Sequence, residues 1–180
     1  MIVEMARVYF SLGSNQGDRL KALVKATKLI DKRIGSVICY SAVVESEPWG
    51  FHAETNFYNQ VLLVETMLSA HQVLTALLDI EKTLGRIRTG NTYSSRAIDI
   101  DILFYDQDQF NEGDLIIPHP MLHLRRFVME PLASVAPDFI HPVFQMSISE
   151  LLNRMKEGSE VSVVVENEEF AKLLDSITMS

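Results

Sequence analysis

IDIDILFY, residues 98–105, alternates branched apolar and acidic residues and then turns wholly apolar. In an extended chain successive side chains point to opposite faces, so Ile98, Ile100 and Ile102 share one face while Asp99 and Asp101 share the other. The two acidic α-carbons then lie roughly 6.6 Å apart. Working upstream, Ser69 is placed to cap a helix whose Val73, Leu74, Leu77, Leu78 and Leu84 recur at helical spacing until Gly85 ends it. Before it, residues 57–66 (FYNQVLLVET) read as a strand, residues 47–56 (EPWGFHAETN) as a long loop, and residues 36–45 (SVICYSAVVE) as another strand. Earlier still, a helix over residues 18–34 carries Leu20, Leu23, Val24, Thr27 and Ile30 on one face and Lys21, Lys25, Lys28 and Lys32 on the other. Residues 7–12 (RVYFSL) make a buried first strand, and Ser14 or Asn15 is expected to cap the helix that follows the GSNQGD turn. The order strand, helix, strand, strand, helix, strand predicts an α+β, ferredoxin-like core: a largely antiparallel sheet flanked by helices. Downstream, Pro118, Pro120, Pro131 and Pro137 divide the chain into short turns and helices, and the tail from residue 157 reads as a strand and a terminal helix over 168–177.

A chain of 180 residues, 47% hydrophobic and 22% charged, suits a single domain spanning 1–180, with 157–180 as a C-terminal extension. The lone Cys39 excludes an internal disulfide and fits a reducing compartment. The N-terminus has no basic leader, and nowhere do about 18 apolar residues run together, so a cytoplasmic protein without a membrane span is expected. A net charge of −8 argues against a broad grip on nucleic acid. No obligatory protein partner is implied.

Residues 83–155 contain no lysine, yet Arg86, Arg88, Arg96, Arg125 and Arg126 fall within them. A guanidinium offers a planar fork of donors matched to phosphate oxygens, so this cluster in an acidic protein points to phosphate. Asp99 and Asp101, held close, repel each other unless a cation intervenes, and a hard divalent ion such as Mg²⁺ relieves that repulsion. Acids for a metal beside arginines for phosphate are what phosphoryl transfer requires. Alternation alone also fits an ordinary half-exposed strand, and Arg–Asp pairs also fit surface ion pairing. Glu81 falls on the apolar stripe of the second helix, and if buried it needs a donor. The GSNQGD turn lacks the lysine and spacing of a P-loop, and His52, His71, His123, His141 and Cys39 show no zinc spacing.

Four blocks carry a resemblance: FSLGSNQGD (10–18), EPWGFHAETNFYNQVL (47–62), GRIRTGNTYSSRAIDIDILFYD (85–106) and IIPHPMLHLRRFVMEPLASVAPD (116–138). Together they resemble the 6-hydroxymethyl-7,8-dihydropterin pyrophosphokinases over about residues 7–142. The resemblance implies Mg-dependent transfer of pyrophosphate from ATP to the hydroxyl of the pterin, with release of AMP, in folate biosynthesis. It implies that Asp99 and Asp101 hold two Mg²⁺ ions, that Arg86 and Arg96 stabilise the transferring group, and that Arg88, His119 and Arg125 hold the nucleotide. It further implies that Phe57 and Phe127 stack the pterin, that Asn59 reads its edge, and that the backbone near Ser46 and Trp49 adds hydrogen bonds. The sequence departs from the family pattern at Tyr93, Ser94 and Ser95, where an aromatic or basic residue and Gly-Pro often precede the arginine, and at Glu54, where glutamine is frequent. A ligand-binding module without chemistry, or another Mg-dependent kinase or phosphohydrolase, is the competing expectation, because a fold alone does not decide function.

Overall fold

Three long strands, Ala6–Ser14, Phe57–Thr66 and Asp99–Tyr105, each hold runs of consecutive buried residues, so their sheet is packed on both faces. The computed structural model describes residues 5–50, 52–85, 97–156 and 160–178. In chain order its elements are β1 (Ala6–Ser14), α1 (Arg19–Arg33), β2 (Ser36–Tyr40), β3 (Val43–Ser46), β4 (Phe57–Thr66), α2 (Ala70–Thr83), β5 (Asp99–Tyr105), β6 (Phe110–Glu112), β7 (Leu115–Ile117), α3 (Arg126–Val135), α4 (Ile148–Arg154), β8 (Val161–Val165) and α5 (Asn167–Ser176), with a 3₁₀ turn at Leu122–Leu124. The main sheet runs β5-β1-β4-β3-β8, with β2 also on β4, and β6 and β7 form a separate hairpin. Every pairing in the main sheet is antiparallel. Taking β2 and β3 as one interrupted strand, the order is that of the expected ferredoxin-like core.

Val8, Phe10 and Leu12 of β1, Leu62 and Val64 of β4, and Ile100 and Ile102 of β5 pack with Leu23, Val24 and Ile30 of α1, Val73, Leu77 and Ile80 of α2, and Phe170 of α5. The opposite face contributes Tyr9, Val61, Leu103 and Phe104, and here Val128, Met129 and Leu132 of α3 and Ile148 of α4 cover it. Sequence periodicity supplies both faces, because each strand alternates and each helix presents one apolar stripe. A β-bulge between Tyr9 and Phe10 lets Tyr9 pair with Phe104 and Phe10 with Ile102, which turns both Leu103 and Phe104 toward the second cluster.

Two local expectations are corrected. The strand expected over 36–45 is two strands. At the break Ser41 donates its N–H to the Val61 carbonyl (2.9 Å), while its Oγ accepts from Val61 N–H (3.0 Å), so a side chain replaces a ladder partner. Neither Ser14 nor Asn15 caps α1: Asp18 does, accepting from Lys21 N–H at 3.0 Å. β1 runs on to Ser14, and Ser14 Oγ instead donates to the Ala97 carbonyl just ahead of β5 (2.6 Å). At the end of α1, a β-carbon on Gly35 would meet Glu65 O at 2.1 Å, so only glycine lets α1 turn this close to β4. Ser69 caps α2 as expected, in a reciprocal capping box with Gln72.

Candidate active site

Among the described residues α3 and α4 cover only part of the second face, and a cleft opens beside them. β1 supplies Ser11 and Gly13 to its lining, and β5 supplies Asp99 and Asp101. The register fixes this company, since Ser11 pairs with Asp101 and Gly13 with Asp99. From the other side β3 contributes Ser46 and β4 contributes Phe57 and Asn59, while Arg125 and Phe127 come from the start of α3 and Trp49 from the loop after β3. All five residues expected at a pterin, Ser46, Trp49, Phe57, Asn59 and Phe127, therefore line one cleft.

Asn59 is 3% exposed, and its amide donates to Ser46 Oγ at 2.9 Å. A primary amide has two N–H donors and one carbonyl, so this bond leaves one donor and the acceptor of Asn59 as a pair for a flat heterocycle edge. Val44 pairs with Asn59 and Ser46 with Phe57 across β3 and β4, so Ser46, Phe57 and Asn59 share one sheet face. Glu45 and Tyr58 face the other way, where Arg19 bonds Glu45 (2.9 Å), stacks 3.7 Å above the Tyr58 ring and donates to the Asn56 carbonyl (2.8 Å). That buttress anchors the end of the loop before β4.

A second, larger cleft shares Asp99, Asp101 and Arg125 with the first and adds His119, Glu81 and Asp114. Its floor is the outer edge of β5. Glu81, 2% exposed, accepts from Ile100 N–H at 2.9 Å, so the expected need for a donor is met in part by strand backbone. That bond ties α2 to the strand that carries both aspartates.

His119 Nε2 and Arg125 Nη1 each lie 3.8 Å from Asp101 Oδ2. His119 donates its backbone N–H to Leu103 O and accepts at Nδ1 from Met121 N–H (3.2 Å). A neutral ring thus carries its proton on Nε2, toward Asp101. Burial, reinforced by the Arg125 charge, lowers the His119 pKa to about 4, against an opposing pull from Asp99, so the ring is a neutral donor near neutrality. Arg125, 9% exposed, lies with its guanidinium 4.9 Å above the Trp49 ring. Arg86, Arg88 and Arg96 lie outside the described residues, as do Tyr93, Ser94 and Ser95.

Among the described residues no cluster of three or more His, Cys, Asp or Glu side chains could hold a metal by itself. Two carboxylates on one strand face suit Mg²⁺, which binds through one or two carboxylates and takes its remaining ligands from water and substrate phosphate. The donor set therefore fits a magnesium ion delivered with a nucleotide, and not a structural zinc.

Gly13 falls outside the first strand that the sequence predicts, which ends at residue 12. It lies on the cleft face of β1, where a β-carbon would stand 3.2 Å from Asn59 Oδ1 and 3.7 Å from the Phe57 ring. The signal was there as alternation: two residues beyond Ser11, on the same face. Glu47 also lines the cleft and had no sequence signal.

Residues 9–137 match the family model described as 7,8-dihydro-6-hydroxymethylpterin-pyrophosphokinase (HPPK). The 2-amino-4-hydroxy-6-hydroxymethyldihydropteridine pyrophosphokinase of Porphyromonas gingivalis is 40% identical over 77% of this chain and 95% of its own length. That of Aquifex aeolicus is 37% identical over 81% of this chain and 90% of its own. The folic acid synthesis protein fol1 of Pneumocystis carinii is 38% identical over 85% of this chain, which spans only 20% of that longer protein. Among solved structures, Plasmodium falciparum HPPK-DHPS shares the fold with a TM-score of 0.70 at 16% identity, over 84% of this chain and 45% of that one. No helix among the described residues is long and apolar enough to cross a membrane.

Proposed function

This chain belongs to the 7,8-dihydro-6-hydroxymethylpterin-pyrophosphokinase family, and from that premise we propose that it transfers a pyrophosphoryl group from ATP to the hydroxyl of 6-hydroxymethyl-7,8-dihydropterin and releases AMP, a step of folate biosynthesis. The observation that carries this reading is the meeting of two clefts at Asp99, Asp101 and Arg125. One is narrow, with aromatic side chains and a buried amide, and suits a flat heterocycle. The other is larger and bordered by charge, and suits a triphosphate.

In this reading Phe57 and Phe127 sandwich the pterin and Asn59 pairs with its edge, using the donor and acceptor that its bond to Ser46 leaves. Backbone near Ser46 and Trp49 supplies further hydrogen bonds. The substrate hydroxyl then points to the shared wall, where its oxygen attacks the β-phosphorus, the bond from that phosphorus to the α,β-bridging oxygen breaks, AMP leaves with that oxygen, and the hydroxyl proton passes to solvent. Asp99 and Asp101 would hold two Mg²⁺ ions, whose charge offsets that of the phosphate oxygens. His119, as a neutral Nε2 donor, and Arg125 hold phosphate oxygens from the second cleft, with Arg88 on the nucleotide and Arg86 and Arg96 at the transferring group. Residues 1–180 act as one domain, a reading supported by the tail strand β8 lying in the main sheet, and the reaction belongs to the cytoplasm.

Incubation with ATP, Mg²⁺ and 6-hydroxymethyl-7,8-dihydropterin tests the proposal. AMP and a pterin diphosphate are expected in equal amounts. ADP as the nucleotide product would indicate a kinase, and binding without turnover would indicate a ligand module.

A further inference from the structure

β3 has only four residues, yet it carries Ser46 and leads into the loop of Trp49. On one side it pairs with β4, Val44 to Asn59 and Ser46 to Phe57. Its other side would be a bare edge but for β8, which pairs Val165 with Val43, Val163 with Val44, Ser162 with Glu45 and Val161 with Ser46. β8 lies beyond residue 137, where the family match ends. So short a strand at a sheet edge would hold its last residue weakly, because terminal pairs fray first.

The segment that follows is firmly seated. Phe170 of α5 is fully buried in the larger core and packs edge-on against Tyr40 at 5.2 Å. Asn167 donates to the Tyr40 carbonyl (3.2 Å), and Lys28 of α1 donates to the Ile177 carbonyl (2.6 Å). α5 thus fastens one end of β8 to α1 and β2. At the other end Val161 borders a groove together with Ser46, Trp49 and Phe127, three of the residues that also line the pterin cleft.

We infer that residues 161–177 are a clamp for the pterin site: β8 holds β3 in register, and β3 holds Ser46 against Asn59. The positioning residues are those of β8, and they act through Ser46 Oγ, which fixes the Asn59 amide. The inference rests on the pterin reading of the cleft. It predicts that loosening β8 weakens the pterin far more than the nucleotide, because Asp99, Asp101 and His119 hang on β5 and its neighbours at the far edge of the sheet, while Arg125 is linked to the loop after β3 through its stacking on Trp49.

Two single variants in the full chain, Ser162→Pro and Val163→Pro, form the test. Consecutive residues of an edge strand aim their N–H groups alternately toward the partner and away, so one proline removes a ladder bond and the other removes an outward N–H. Amide exchange at Val44, Glu45 and Ser46 identifies which variant frees β3. In that variant calorimetric Kd for the reduced hydroxymethylpterin, measured with a non-hydrolysable ATP analogue present, should rise about fivefold, the scale of one net hydrogen bond. KM for the pterin should follow, with kcat and KM for ATP changed by less than about twofold. The other variant should resemble wild type. Faster β3 exchange with an unchanged pterin Kd overturns the clamp, and so does a parallel loss of pterin affinity, ATP affinity and Tm. A wild type that binds the pterin without transferring pyrophosphate removes the proposed reaction but leaves the clamp readable in Kd; one that binds no pterin removes both.

Discussion

The two faces of the main sheet are built from the same strands and are finished in opposite ways. On one, Phe10, Leu12, Leu62, Ile100 and Ile102 are sealed under α1, α2 and α5. On the other, α3 and α4 seal only the end around Tyr9, Leu103 and Phe104, and the alternate residues beyond it, Ser11, Gly13, Asn59, Asp99 and Asp101, line the cleft. A covered face tolerates no polar group without a partner, whereas an open one can keep two carboxylates near each other because water or a cation answers their charge. The lesson is that alternation does two jobs: at the start of β5, Asp99 and Asp101 can carry charge because Ile100 and Ile102 carry the fold.

The sharpest way to break that division is to neutralise the open face. Asp99→Ala or Asp101→Ala should cut turnover by more than about 10³-fold, since both metal charge and substrate placement are lost. Tm should move far less than turnover, because both side chains stand on the cleft face and leave the packed core untouched. Normal turnover in either variant would remove the metal assignment. On the covered face Phe10→Ala should do the reverse. A fully buried phenylalanine lost from a packed core costs about 3–5 kcal/mol of stability. Denaturant unfolding should show that loss, while KM for pterin and ATP, taken well below the melt, stay near wild type. A variant that lost pterin affinity with little change in stability would contradict the separation of the faces.

A smaller change tests the cleft floor. Gly13→Ala puts a methyl 3.2 Å from Asn59 Oδ1, tight enough to push the amide from its bond with Ser46. Pterin Kd should rise about tenfold, within the range for misplacing one buried hydrogen-bonding group, with the nucleotide Kd unchanged. Equal pterin affinity in the alanine variant would mean that the amide is not read at this edge.

Much of this division is legible in the chain itself. Strict alternation at 98–102 assigns Asp99 and Asp101 to one face before any coordinates are known, and β4 and the cap of α2 stand where periodicity sets them. What sequence could not deliver are features decided by partners distant in the chain. Ser41 looks like any strand residue until Val61 arrives to bond it, and Ser14 looks like a cap until Ala97 offers its carbonyl. Gly13 reads as the start of a turn until β4 extends the pairing past it to Ser14. The buried Glu81 was legible as a group in need of a donor, but that the donor is the backbone of β5 depends on how α2 packs.

The smallest effect lies at the sealed end of the open face. His141 is 3% exposed, packs edge-on against Phe104 (5.2 Å), and accepts at Nδ1 from the N–H groups of Val143 (3.1 Å) and Phe144 (3.2 Å). Burial, with help from the nearby His123, lowers its pKa to about 4. An unfolded histidine titrates near 6.5, so between about 6.5 and 4 the unfolded chain binds a proton that the native ring refuses. Stability must therefore fall on this account as pH drops through that window, and stay level above it. His141→Asn keeps an acceptor but does not titrate. Its unfolding midpoint should be below wild type at pH 7, with the gap narrowing as pH falls toward 4. His119 titrates in the same window in both proteins and so cancels in the difference. Parallel curves from pH 7 to 4 would mean that the ring is solvated after all, and that the sealed end of this face is less sealed than its packing with Phe104 implies.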